Sequence, residues 1–158
     1  MYRTDNPGGR WLAEKQEKAL RDYDPAQKGI AAKGLSGAVT AWTTPAFYPV
    51  EALRHLTGVC NETRAPGDVQ YESLLRSVAE KGWDPEQDNN SVLIGVNHLG
   101  EAYVIEGNTR LSYALRHGIP ELKAEIRWFN GAEDAPGPFL VRDGVLTFTD
   151  PEDVSPAI

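Results

Sequence analysis

Hydrophobic and polar positions alternate along the chain in blocks that change period. Trp11, Leu12, Ala19 and Tyr23 are set among Glu14-Lys15-Gln16-Glu17-Lys18, which predicts a short, mostly solvated helix. That helix is expected to stop near Asp24-Pro25, because the residue before a proline disfavours helical geometry. Gly29, Gly34 and Gly37 then read as a flexible connector. Ala38-Val39-Thr40-Ala41-Trp42 predicts a strand, and Pro49 is placed to open a helix carrying Val50, Leu53 and Leu56. After a polar loop with Asn61-Glu62-Thr63-Arg64, Asp68 is an expected N-cap. Tyr71, Leu74, Leu75 and Val78 follow at i, i+3, i+4 and i+7, one apolar stripe, and Gly82 stands where a helix C-terminal glycine belongs.

Downstream, Val92–Val96 and Ala102–Ile105 predict two strands joined through Asn97-His98-Leu99-Gly100, a hairpin-length connection. Glu106-Gly107-Asn108-Thr109-Arg110 leads into a third helix, with Leu111, Ala114 and Leu115 at helical spacing until Gly118 and Pro120. Glu125–Phe129 predicts a returning strand. Asp143-Gly144 between apolar runs predicts a C-terminal hairpin. The expected class is α+β, divided into an arm over residues 1–37, a main domain over 38–130, and a hairpin with an acidic tail over 131–158.

Composition narrows the picture modestly. The 158 residues are 41% apolar and 25% charged, ordinary globular material for about one domain. Apolar runs stay far below 18 residues, and the first residues lack a signal-peptide core, so no membrane contact and a cytoplasmic location are expected. Cys60 is the sole cysteine, which excludes an intrachain disulfide and a cysteine zinc site; an idle thiol is expected. The net charge is −7, distributed as +2 over residues 1–40, −4 over 41–130 and −5 over 131–158. Phosphate-backbone binding needs clustered Lys and Arg, so free DNA is an unfavoured partner. His55, His98 and His117 have no ligand spacing and are expected at the surface.

The strand–EGNTR–helix segment has the makings of an anion site. A helix N-terminus presents unpaired N–H groups and the positive end of the macrodipole. Gly107 would let a phosphate approach the backbone, and Arg110 adds a fork of donors. The plain alternatives are capping by Asn108 or Thr109 and an Arg110–Glu106 ion pair.

The order of elements over residues 47–129 resembles the ParB/sulfiredoxin-like superfamily. Its pattern is a polar loop with an arginine, a helix closing on glycine, a strand pair, and a Gly-x-His-Arg turn opening an alanine-rich helix. The matching segments are Asn61-Glu62-Thr63-Arg64, residues 71–82, and Val104–Ala114 around Gly107-Asn108-Thr109-Arg110. The resemblance implies a pocket for the phosphates of ATP or CTP with Mg²⁺, held by Arg64, Ser73, Ser77, Gly107, Asn108, Thr109 and Arg110. Read from the residues alone, Ser73 and Ser77 share one helix face and equally fit boundary packing, and Arg64 equally fits a surface salt bridge. Two departures matter. Asn108 stands where sulfiredoxins carry the catalytic cysteine, which excludes that activity, and Thr109 replaces the motif histidine. Some 28 residues follow Asn130, acidic and hairpin-like, so the centromere-clamp role of full-length ParB, which also uses a helix-turn-helix region, is not expected.

Glu62 and Glu106 are the candidate catalytic acids. Each could take a proton from a substrate hydroxyl; the plainer and favoured reading is a structural one, Glu106 paired with an arginine and Glu62 solvated. Three functions follow: a small phosphotransferase or NTPase, a non-catalytic regulatory module that binds a protein partner or self-associates through the N-terminal arm, and, less favoured, a ParB-like nuclease. Stand-alone domains of this kind suit a phage origin.

Overall fold

The computed structural model describes residues 2–4, 9–54, 56–59, 64–84, 91–134, 139–142 and 145–148. Its organising element is a long strand, β7 (Glu121–Phe129), in which Leu122, Ala124, Ile126 and Trp128 are buried at every second position. That period of two is what puts one face of a strand into a core. One edge of β7 pairs in parallel with β5 (Val92–Val96), which pairs antiparallel with β6 (Ala102–Glu106). The other edge is shared by β2 (Val39–Thr43) along its C-terminal part and β3 (Ala46–Pro49) along its N-terminal part, both antiparallel. A short β4 (Thr57–Gly58) lies parallel to β6, and β1 (Tyr2–Thr4) lies outside β2. The described residues thus form a seven-stranded mixed sheet, β1-β2-β7-β5-β6-β4 with β3 beside β7. Helices α1 (Gly9–Asp22), α2 (Val69–Lys81) and α3 (Asn108–Arg116) complete an α+β architecture.

The core brings Trp128, Ile126, Ile94, Val92 and Leu122 together with Leu53 and with Leu111 and Ala114 of α3. A smaller cluster joins Leu35 and Val59 to Tyr103 and Phe129. No helix among the described residues is long and apolar enough to cross a membrane.

Three expectations change. Pro49 does not open an α-helix. It closes β3, opposite Glu121, and only a single 3-10 turn, Val50–Leu53, follows. β7 extends four residues further back than the expected strand, and that extra length is what β3 pairs with. The segment expected to be a flexible connector is packed instead. Lys33 and Leu35 are each 1% exposed, and Gly29, Gly34 and Gly37 supply positive φ for its turns. The C-terminal strands β8 (Phe139–Arg142) and β9 (Val145–Phe148) pair antiparallel as expected; the Asp143-Gly144 turn lies outside the described residues.

The packed segment is held by polar side chains. Asn97 donates from Nδ2 to the Lys33 carbonyl at 2.8 Å and accepts from the Leu99 and Glu101 amides at Oδ1. Lys33 donates from Nζ to the Pro25 carbonyl and lies over the Tyr103 ring. Tyr23 docks on the same chain, its hydroxyl donating to Glu101 at 2.6 Å and its ring standing edge-on to His98.

His98 is half-buried rather than superficial, and both ring nitrogens are enclosed without a hydrogen-bond partner. Burial pushes its imidazole below the ordinary histidine value, with the Glu101 carboxylate pulling weakly the other way. The unfolded chain therefore takes up this proton at a higher pH than the folded one. Stability is expected to fall as pH drops through about 6.5, the ordinary histidine value. Thermal melts at pH 7.5 and 5.5 check this: the loss on acidification should shrink in His98→Gln, and identical losses in both proteins would count against it.

Candidate functional site

The site is built where α2 and α3 meet the end of β6. Asp68 caps α2 as expected, its carboxylate accepting from the Gln70 and Tyr71 amides at 2.9 and 3.2 Å. Those amides, the Tyr71 one above all, and the nearby Arg64 guanidinium hold the Asp68 carboxyl below the usual carboxylate range. Arg64 Nη1 bridges Asp68 at 3.1 Å, so the loop arginine is steered by the helix cap. Arg116, from the last turn of α3, donates to the Arg64 carbonyl at 2.7 Å and lies over the Tyr71 ring. These contacts fasten the end of the polar loop to both helices.

Two contiguous clefts of about 310 and 390 Å³ open at this junction. The first is lined by Ser73, Leu74, Ser77 and Val78 of α2, by Gly82, Trp83 and Asp84 after it, and by Thr109 and Arg110. The second is lined by Arg64, Ser91, Ile105, Glu106, Gly107, Asn108, Thr109 and Arg110. Gln70, Thr109 and Arg110 face both. The described residues expected to bind nucleotide (Arg64, Ser73, Ser77, Gly107, Asn108, Thr109 and Arg110) and the candidate acid Glu106 thus line the two clefts, although they come from three separate segments. Glu62 lies outside the described residues, as do Cys60 and His55.

Four details bear on the alternatives left open by the sequence. Ser73 and Ser77 are exposed on the cleft wall rather than packed at a boundary. Among the described residues no side chain caps α3: Gly107 occupies its N-cap with φ 91°, so the alternative of capping by Asn108 or Thr109 is not what is found. The absent side chain of Gly107 does not leave space for a ligand, because a Cβ there would lie 3.0 Å from the Val92 backbone. This glycine is required by the approach of β5. Finally, Arg110 does not pair with Glu106. It donates from Nη2 to the Asp84 carbonyl at 3.3 Å and sits over Trp83, while Glu106 is exposed and pairs with no cation among the described residues.

Burial pushes the Arg110 guanidinium below the usual arginine value, partly offset by Asp84, yet a guanidinium stays cationic at neutral pH. The junction therefore offers a fixed cation, the first turn of a nine-residue helix and four hydroxyls, those of Ser73, Ser77, Ser91 and Thr109. Such a set can neutralise and orient an anion. Among the described residues no three His, Cys, Asp or Glu side chains gather to hold a metal.

Gln70, Trp83, Asp84 and Arg116 were not expected at the site. An aromatic directly after a helix-ending glycine is the one signal that could have pointed to Trp83. Compared with known proteins, the chain matches no family model, no curated protein and no solved structure.

Proposed function

We propose that this chain is a ParB/sulfiredoxin-like domain that binds the phosphates of ATP or CTP at the start of α3, with Mg²⁺ arriving on the nucleotide. The observation that carries the reading is the meeting of Arg64, Thr109 and Arg110 with the uncapped first turn of α3 around one cleft pair. Each cleft has the size of a small-molecule pocket. The second, with Arg64, Arg110 and the helix start, suits phosphate. The first, with Leu74, Val78 and the α2 hydroxyls, suits the less polar remainder of a nucleotide.

Glu106 carries the enzymatic form of the proposal, a phosphotransferase or NTPase. An exposed carboxylate on the cleft, outside any ion pair among the described residues, can accept the proton of an attacking hydroxyl. Glu62 is the second candidate acid in this proposal. Thr109 in place of the motif histidine favours the alternative, a non-catalytic module in which a bound nucleotide governs a protein partner or self-association. A nuclease is the weakest reading: Arg64 and Arg127 are each paired with an acid, and the chain carries −7 overall.

Calorimetric titration with ATP, CTP and their diphosphates in Mg²⁺ tests the proposal. Arg110→Ala is expected to weaken binding by about 10- to 100-fold, the worth of a charge-assisted hydrogen bond. Wild-type protein that binds none of the four nucleotides would remove the reading. Where binding is found, Glu106→Gln separates the two forms: turnover lost at unchanged affinity marks the enzyme, and the absence of turnover in wild type marks the module.

A further inference from the structure

Arg110 is held in an unusual way for a cleft cation. Its guanidinium carbon lies 4.3 Å from the centre of the Trp83 ring, and among the described residues its hydrogen bond goes to a neutral carbonyl, that of Asp84. It makes no ion pair among the described residues, the Asp84 carboxylate acts on it only through space, and its Nε is enclosed without an acceptor among them. Trp83 is itself fixed. Gly82, at φ 79°, ends α2 and turns the chain, and Tyr113 of α3 stacks on the indole at 5.0 Å with the rings 10° apart. Tyr113 in turn stacks on His117 at 4.1 Å.

We infer that Trp83 is the positioning residue of the anion site: its ring face pins the Arg110 guanidinium at the junction of the two clefts without neutralising it. The inference rests on the phosphate-binding reading given above. A carboxylate would hold the guanidinium as firmly, but it would compete with an incoming phosphate for the same N–H groups. An aromatic face attracts the cation through its quadrupole and leaves the edge donors free. A long arginine side chain loses much rotamer freedom when it is immobilised. Trp83 takes that loss at folding, so a ligand meets an arginine already in place.

The test is a double-mutant cycle read by calorimetry with Mg-ATP, Mg-CTP and inorganic tripolyphosphate. The proteins are wild type, Trp83→Met, Trp83→Phe, Arg110→Ala and the Trp83→Met/Arg110→Ala pair, each first shown by thermal melting to be folded at the assay temperature. Trp83→Met is expected to weaken binding about tenfold, within the range of a partly desolvated cation–π contact, and Trp83→Phe to restore most of it. In the Arg110→Ala background, Trp83→Met should have no further effect, because the residue acts through the arginine. Unchanged affinity in Trp83→Met, or a full additional loss in the double variant, overturns the inference while the phosphate reading survives. A wild-type protein that binds none of the three probes overturns both. If Trp83→Met does not fold, fluorescence decides: tripolyphosphate should change tryptophan emission in wild type and leave it unchanged in Trp83→Phe, and equal changes in the two overturn the inference.

Discussion

Replacing Gly107 by alanine is expected to destabilise the chain by about 2–4 kcal/mol. Two costs combine. The residue sits at φ 91°, ψ 16°, and a left-handed conformation costs an L-residue roughly 1–2 kcal/mol. The new Cβ would also lie 3.0 Å from both Cα and Cγ2 of Val92, which is fully buried and paired with Ala124 across β5 and β7. A strand fixed on that side cannot retreat, so the first turn of α3 must, and overpacking of this kind costs about 1–3 kcal/mol. At about 2–4 °C per kcal/mol for a chain of this size, the melting temperature should fall by roughly 10 °C. Gly67 is the internal control. It has φ 98° but open space where its Cβ would go, so Gly67→Ala should show the backbone cost alone. Equal melting temperatures for the two variants would show that the Val92 contact contributes nothing.

Gly107 also shows where sequence reasoning stops. That a glycine was needed between β6 and α3 was legible, because a strand, a glycine and a polar helix start are local features. Its reason was not, since Val92 reaches it through the fold and lies fifteen positions away. The same division runs through the rest of the chain. The Asp68 cap, the Gly82 stop and the β5–β6 hairpin each depend on neighbours within a few residues, and each stands where the pattern puts it. Pro49 misled because helix-opening and strand-ending prolines share the same φ, and only the length of β7 decides between them. Residues 24–37 misled for a related reason: glycines at positive φ serve tight turns as readily as loose connectors, and the contacts that fix them come from Asn97 and Asn130. At the site, the three segments that converge were each marked by polar residues at a helix start or loop. Trp83 and Asp84 went unread because a helix-ending glycine draws attention to the stop rather than to what the turn delivers.

Asn130→Ala is expected to cost more than any cleft substitution, about 3–5 kcal/mol. Asn130 is fully buried and is the one non-glycine residue at positive φ among those described, at 57°. Its side chain accepts from the Ala38 amide at 3.2 Å and donates to the Ser36 carbonyl at 2.8 Å, clamping the end of the packed segment against β7. Gly37 passes so close that a Cβ there would stand 2.6 Å from Asn130 Oδ1. Alanine leaves two backbone groups without partners at about 1–3 kcal/mol each, and it keeps a left-handed backbone without the local hydrogen bonds that favour asparagine there. Asn130→Gly loses the same bonds but relieves the backbone, so it should be about 1 kcal/mol more stable than the alanine variant. Loss of the clamp should release residues 24–37 before the sheet unfolds, because local openings follow the weakest tether. Lys33 is 1% exposed and so protected from trypsin in the native chain. Cleavage after Lys33 should therefore accelerate in both variants, well below their melting temperatures. Cleavage that appears only at global melting would show that this segment and the sheet open as one unit, and the clamp would then be a part of the core rather than its latch.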